Sequence, residues 1–266
     1  MNMMILSTGI LCLALSTGCS KKNEKTVGTS GQAKVVLDNA NALMISSVPA
    51  RTQANTCVPG NTCATEAQIS KFEIKLMSVG IHTHADTTQG YGSAIYANPS
   101  CPAPEYETEV NSKYYKYVGF GTCSDSSITT YFDLKSASVN TDLNSQYLPI
   151  APGSYKYGAI TFCQSSAQSN NYKITLTNDA GLPAALQGQT VSFSVGTCGV
   201  TTPEMSPSMD VTEGQSVQVT LIYDLTNTVY YRVLGVGESA GTGCTEVGGY
   251  AVCINPPTIS ATFAVQ

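Results

Sequence analysis

The sequence predicts an all-β protein, an antiparallel β-sandwich with disulfide-stapled loops, behind an N-terminal segment outside the fold. Three observations carry this. Apolar residues recur with period two over many short runs, which places them on one face of a strand. Gly- and Pro-based turn signals separate the runs: Pro59-Gly60, Pro152-Gly153, Asn178 to Gly181, Glu213-Gly214 and Gly248-Gly249. No stretch sustains a helical period, and many short strands with such turns make a sandwich.

The first element is not structural. Met3 to Leu15 is an apolar run shorter than the ~20 residues a spanning helix needs. It reads as the core of a secretory signal. The following Ser16-Thr17-Gly18-Cys19 resembles a bacterial lipobox, in which the cysteine is lipidated and becomes the new N-terminus. Ser16 stands where such motifs prefer leucine, and Met1 to Met4 carry no basic residue. The resemblance implies lipidation at Cys19, with Ser20 pointing to an outer membrane. Ser20 to Gln32 is polar and aperiodic, as a tether is. The expected organisation is signal peptide 1–18, lipidated cysteine and flexible tether 19–32, and a β-sandwich body 33–266, with room for a smaller second β subdomain towards the C-terminus.

Along the body, Phe72, Ile74 and Leu76 alternate. The phase then flips to Met77, Val79 and Ile81, so a β-bulge or bend is expected near Met77. Ile128, Phe132 and Leu134 suggest a further strand. Ser136 to Gln146 could form a short helix, although it is rich in poor helix formers. At Pro152-Gly153 the proline fixes φ and the glycine permits the turn. Tyr155 is then expected to lie over the core edge with its hydroxyl in water. Tyr172/Ile174/Leu176 and Val191/Phe193/Val195 are shorter strands. Val217, Val219, Leu221, Tyr223 and Leu225 form the longest alternation. Val229 to Val236 is another candidate strand. Ile259, Ala261, Phe263 and Val265 close the chain.

Three of these segments together resemble a domain of unknown function carried by bacterial lipoproteins, related to prealbumin-like and carboxypeptidase-regulatory-like sandwiches. They are Phe72 to His82, Tyr131 to Ile160 with its L-P-I-A-P-G-S-Y, and Val217 to Tyr231. The resemblance implies a sandwich and carries no activity with it.

Composition excludes one class. Charged residues are 12% of the chain and the net charge is −5, against ~25% charged residues in ordinary soluble domains. No basic block follows Lys25, so no nucleic acid partner is expected. Removing residues 1–18 from the 266 leaves 248, enough for a substantial core. Of the 10 cysteines, Cys12 and Cys19 precede the body. The others are Cys57, Cys63, Cys101, Cys123, Cys163, Cys198, Cys244 and Cys253, and an even count behind an export signal predicts disulfides. Near-neighbour pairing is expected, 57–63, 101–123, 163–198 and 244–253, among the 105 connectivities that eight cysteines allow.

Three stretches carry candidate chemistry. Gly237-Glu238-Ser239-Ala240-Gly241 matches the G-x-S-x-G pattern of a nucleophile elbow. The only two histidines, His82 and His84, precede it, whereas the fold that uses the elbow places its histidine after the serine. The sequence after Gly241 is glycine-rich with no helical period. Ser239 is therefore expected to be a loop residue. On an extended strand His82, His84 and Asp86 would share a side, as Zn²⁺ or Cu²⁺ ligands would. A chance H-x-H at a strand end is the simpler reading, and no metal or other cofactor is expected. Tyr114, Tyr115 and Tyr117 cluster beside Lys113 and Lys116. Exposed tyrosines can contact a protein or carbohydrate partner, though in β-proteins they more often fill strand faces. The expected protein is non-enzymatic, held on the outer membrane by its lipid, with a structural or binding role in the envelope. The alternatives are a serine hydrolase and an envelope metal-binding protein.

Overall fold

A computed structural model describes residues 25–39, 56–84, 92–121, 123–124, 127–144, 147–161, 171–194, 199–201, 205, 207–255 and 258–266. Cys19, Asp86, Cys163 and Cys198 lie outside the described residues. The strands in chain order are β1 (Gly31–Asn39), β2 (Thr62–Cys63), β3 (Ile69–Lys75), β4 (Ser78–His82) and β5 (Gly92–Ala97). There follow β6 (Glu105–Val110), β7 (Lys113–Val118), β8 (Tyr131–Asp133), the helix α1 (Val139–Leu143), β9 (Leu148–Ile150), β10 (Gly153–Tyr155) and β11 (Tyr157–Thr161). The rest are β12 (Tyr172–Leu176), β13 (Thr190–Phe193), β14 (Gly199–Thr201), β15 (Met209–Val211), β16 (Val217–Asp224), β17 (Val229–Val233), β18 (Cys244–Val247), β19 (Tyr250–Ile254) and β20 (Thr258–Val265).

The protein is mostly β, in several sheets that are largely antiparallel. Four sheets have four strands each, in the orders β20-β16-β1-β9, β14-β11-β4-β5, β13-β12-β3-β8 and β18-β19-β17-β2. Two pairs, β10-β15 and β6-β7, complete them. The antiparallel expectation needs one correction. β1 runs parallel to β16, in register from Ala33↔Val217 to Asn39↔Tyr223. The two strands are remote in the chain, so no hairpin constrains their relative direction.

The phase flip at Met77 marks a change of sheet. β3 lies between β12 and β8, whereas β4 lies between β11 and β5. The chain crosses from one sheet to the other through Leu76 and Met77. Phe72, Ile74 and Leu76 fill the main core. Met77 turns instead into a small cluster with Cys101 and Ile128. Val79 and Ile81 rejoin the main core, and all five residues of β4 are buried. Hydrogen bonds hold the crossing on both sides: Met77 N donates to Thr161 O at 2.8 Å, and Asn98 N to Met77 O at 2.8 Å. Ile128 precedes β8 rather than belonging to it.

One continuous core cluster takes residues from all four larger sheets, among them Val35, Ile174, Ile81 and Val252. The expected short helix is α1, one and a half turns, with Val139 and Leu143 four residues apart and buried. Its C-terminal Asn144 accepts from Val35 N at 2.8 Å through its side-chain oxygen. That bond serves β1 beyond Ala33, the last β1 residue paired with β9.

Tyr155 departs from expectation. It is fully buried, and its hydroxyl donates to Ala151 O at 2.7 Å and lies 3.2 Å from Ser93 Oγ. The turn at Pro152-Gly153 folds the ring inward, and protein acceptors replace water. Residues 25–30, which the sequence reading assigns to the tether, are hydrogen-bonded to the body.

Candidate functional site

The G-E-S-A-G stretch lies in the exposed connection between β17 and β18. β17 ends at Val233, and Val236 is fully exposed. Gly237, Gly241 and Gly243 take φ of +77°, +90° and +74°, conformations that disfavour any residue with a Cβ. Glu238 organises the loop. Its carboxylate accepts from Arg232 Nη1 at 2.6 Å and from Gly235 N at 2.9 Å. These two donors hold the carboxyl below its ordinary pKa, the Gly235 amide most of all. Strand β18, not a helix, follows the loop. Among the described residues no side chain hydrogen-bonds to the Ser239 hydroxyl, and Ser239 is exposed. The strand-turn-helix setting of a nucleophile elbow is absent from this segment.

The two histidines part company. β4 ends at His82, and Thr83 and His84 bend away. His82 is buried at 2% exposure while His84 is exposed. The His82 ring stacks on Phe120 with centroids 6.3 Å apart. It lies so close to Gly92 that a Cβ there would come within 2.3 Å of Cδ2. Nδ1 of His82 meets the His84 backbone, 2.7 Å from its oxygen and 3.1 Å from its nitrogen. The extended geometry that would align residues 82, 84 and 86 therefore ends at the first of them. No group of three or more His, Cys, Asp or Glu that could hold a metal ion occurs among the described residues.

Three cysteine pairs are joined, Cys57–Cys63, Cys101–Cys123 and Cys244–Cys253, with Cα separations of 5.8, 5.1 and 4.1 Å. These are three of the four expected pairs. The fourth, Cys163 with Cys198, lies outside the described residues. Cys244 faces Cys253 across the β18–β19 hairpin, Cys253 faces Tyr230, and Tyr230 faces Cys63. Directly opposed residues share a face, so Tyr230 stands between two disulfides in one row across the sheet.

The tyrosine cluster builds the most elaborate surface. Glu105–Val110 and Lys113–Val118 form a two-stranded hairpin, β6-β7. Asn111 and Ser112 turn it with φ of +51° and +62°, both positive as in a type I′ turn. Tyr115 and Tyr117 face inward and pack with Ala151 and Val110. Tyr106 pairs with Tyr117, ring centroids 5.5 Å apart. On the other face Glu107 opposes Lys116, and Glu109 opposes Tyr114.

Residues 25–31 run along the free side of β7. Val27 bridges Tyr114 in the parallel sense. Tyr114 N donates to Thr26 O, and Gly28 N to Tyr114 O, both at 2.9 Å. Lys25 Nζ sits 2.8 Å from Glu107 Oε2 and 4.5 Å from the centre of the Tyr114 ring. Ser30 Oγ donates to Lys116 O at 2.7 Å. Glu213 closes the other side, accepting from Thr29 N at 3.0 Å and from Lys113 Nζ at 2.8 Å. The partner lysines lower the pKa of Glu107 and Glu213, and the carboxylates raise those of Lys25 and Lys113. Small residues admit this approach. A Cβ on Gly28 would fall 2.1 Å from the Tyr115 ring, and one on Gly31 would fall 1.8 Å from Gln215 O.

Sequence reasoning found the tyrosines but missed Lys25, Gly28, Glu107 and Glu213. The hairpin had a signal. E-Y-E-T-E-V, which alternates, and the tyrosine-rich K-Y-Y-K-Y-V flank the two residues Asn-Ser, which is a two-residue hairpin pattern. The docking of residues 25–30 had none, because polar backbone pairing leaves no apolar period.

No family model matches this chain, and neither a curated protein nor a solved structure does. The likeness of Phe72–His82, Tyr131–Ile160 and Val217–Tyr231 to the lipoprotein sandwich domain stays a likeness of three segments.

Proposed function

We propose that this is an exported protein, anchored to the outer membrane by lipid on Cys19, with a structural or partner-binding role in the cell envelope and no catalysis. The observation that carries the reading is the conjunction of three disulfides with the apolar run and cysteine at the N-terminus. Stable disulfides belong to oxidising compartments, and an apolar run of that length supplies the route there. Ser16-Thr17-Gly18-Cys19, with its likeness to a lipobox, is the anchoring signal that supports attachment through lipid.

The test is fractionation of Cys19→Ser. Release of the variant from membranes, with wild type retained, supports the anchor. Equal retention of both removes it. The serine-hydrolase reading rests on Ser239 alone. The metal reading rests on His82, which is buried, and His84, which is exposed.

A further inference from the structure

The docking of residues 25–31 fixes which end of the body faces the lipid. We infer that the Asn111-Ser112 tip of the β6–β7 hairpin is held against the membrane surface, with the residue 25–31 segment acting as a clamp rather than a free leash. This rests on lipidation at Cys19.

Three features lead there. First, direction: Val27 pairs with Tyr114 in the parallel sense. Lys25 therefore lies towards the tip, and the chain runs from the tip into the body. Second, length: Cys19 precedes Lys25 by six positions, and six residues reach at most about 20 Å even when fully extended. Third, fixation: every residue from Lys25 to Ser30 is engaged by a backbone or side-chain contact to β6, β7 or the 212–215 loop. Gly28 and Gly31 are packed too closely to admit a side chain. A leash beginning at Gln32 would let the body tumble well clear of the bilayer. A clamp beginning at Lys25 leaves only those six positions, at most about 20 Å of chain, between the lipid and the tip where the clamp starts. Val27, 72% exposed, and the ring of Tyr114 then sit where amphipathic side chains meet lipid headgroups.

The chain contains no tryptophan, so a single introduced one reports position without background. The full-length lipidated protein is reconstituted into phosphatidylethanolamine/phosphatidylglycerol vesicles carrying dansyl-phosphatidylethanolamine. Energy transfer is compared between Tyr114→Trp, near the tip, and Val236→Trp, on the exposed β17–β18 loop. Transfer at least twofold stronger from position 114 is expected, together with its loss when a flexible twelve-residue Gly/Ser spacer is inserted between Asn23 and Glu24. Equal transfer from both sites, or transfer from 114 that survives the spacer, overturns the clamp. Failure of the wild type to associate with vesicles removes the anchor instead, so the two readings fail separately.

Discussion

The Tyr155 hydroxyl donates to the Ala151 carbonyl oxygen 2.7 Å away, four residues upstream across the Pro152-Gly153 turn. Both residues are completely buried. The bond ties the end of β10 back to the residue that follows β9, and the Ser93 hydroxyl lies beside the same phenolic oxygen. Tyr155→Phe keeps the ring and removes the donor. A buried carbonyl left without that donor costs about 1–3 kcal/mol. Urea denaturation should show a lower midpoint with an unchanged slope, since the surface exposed on unfolding is unaltered. An unshifted midpoint would show that another donor takes over.

The disulfides differ in access. In Cys57–Cys63 both partners are partly exposed, whereas Cys101 and Cys253 are 1% and 2% exposed. Thiol exchange needs access to a sulfur. Mild reduction followed by alkylation and peptide mapping should therefore label Cys57 and Cys63 first. Of the three, Cys101–Cys123 closes the longest loop, with a separation of 22 residues. Replacing both of its cysteines by alanine should cost about 3 kcal/mol on the chain-entropy account. Prior labelling of Cys101 or Cys253 would contradict the burial argument.

Ser239 is expected to be unreactive. Among the described residues no side chain hydrogen-bonds its hydroxyl, and β18 follows where an elbow requires a helix. A fluorophosphonate probe should leave the purified protein unlabelled. Labelling that disappears in Ser239→Ala would restore the hydrolase reading.

Sequence pattern and fold agree where one face of a strand is apolar and the other is not. Val217, Val219 and Tyr223 alternate and are buried on β16. The phase flip after Leu76 was visible, but whether it meant a bulge or a change of sheet depended on partners β11 and β12, remote in sequence. The direction of β1 against β16 was equally hidden, since period two is the same in parallel and antiparallel pairs. The shared side of an H-x-H pair assumes an extended chain, and no period-two pattern announces that the backbone bends just after His82. Tyr155 was misplaced because its burial depends on acceptors at Ala151 and Ser93 that no local pattern announces.

The clamp of residues 25–30 should open at both ends of the pH scale. Glu107 and Glu213 have their pKa lowered from 4.5, chiefly by the hydrogen bonds from Lys25 and Lys113. A lowered folded value means that their stabilisation is full above 4.5 and is lost as pH falls through the lowered values. Lys25 and Lys113 have theirs raised from 10.5 by the same partners. Their share is full below 10.5 and is lost as pH rises through the raised values. Both ion pairs are solvent-exposed, so salt should weaken them as well. The backbone bonds from Gly28 to Tyr114 and from Tyr114 to Thr26 do not titrate, and they should keep the segment in place at neutral pH even in high salt. NMR signals of the Gly28 and Thr29 amides should thus stay dispersed between pH 4.5 and 10.5 and move towards random-coil positions as acid passes through the lowered carboxylate values, while Val219 and Ile174 in the core do not move. Lys25→Gln with Glu213→Gln should shift the two amides partway at neutral pH and flatten their response to acid. Simultaneous loss of clamp and core signals on acidification would mean that residues 25–30 unfold only with the whole body.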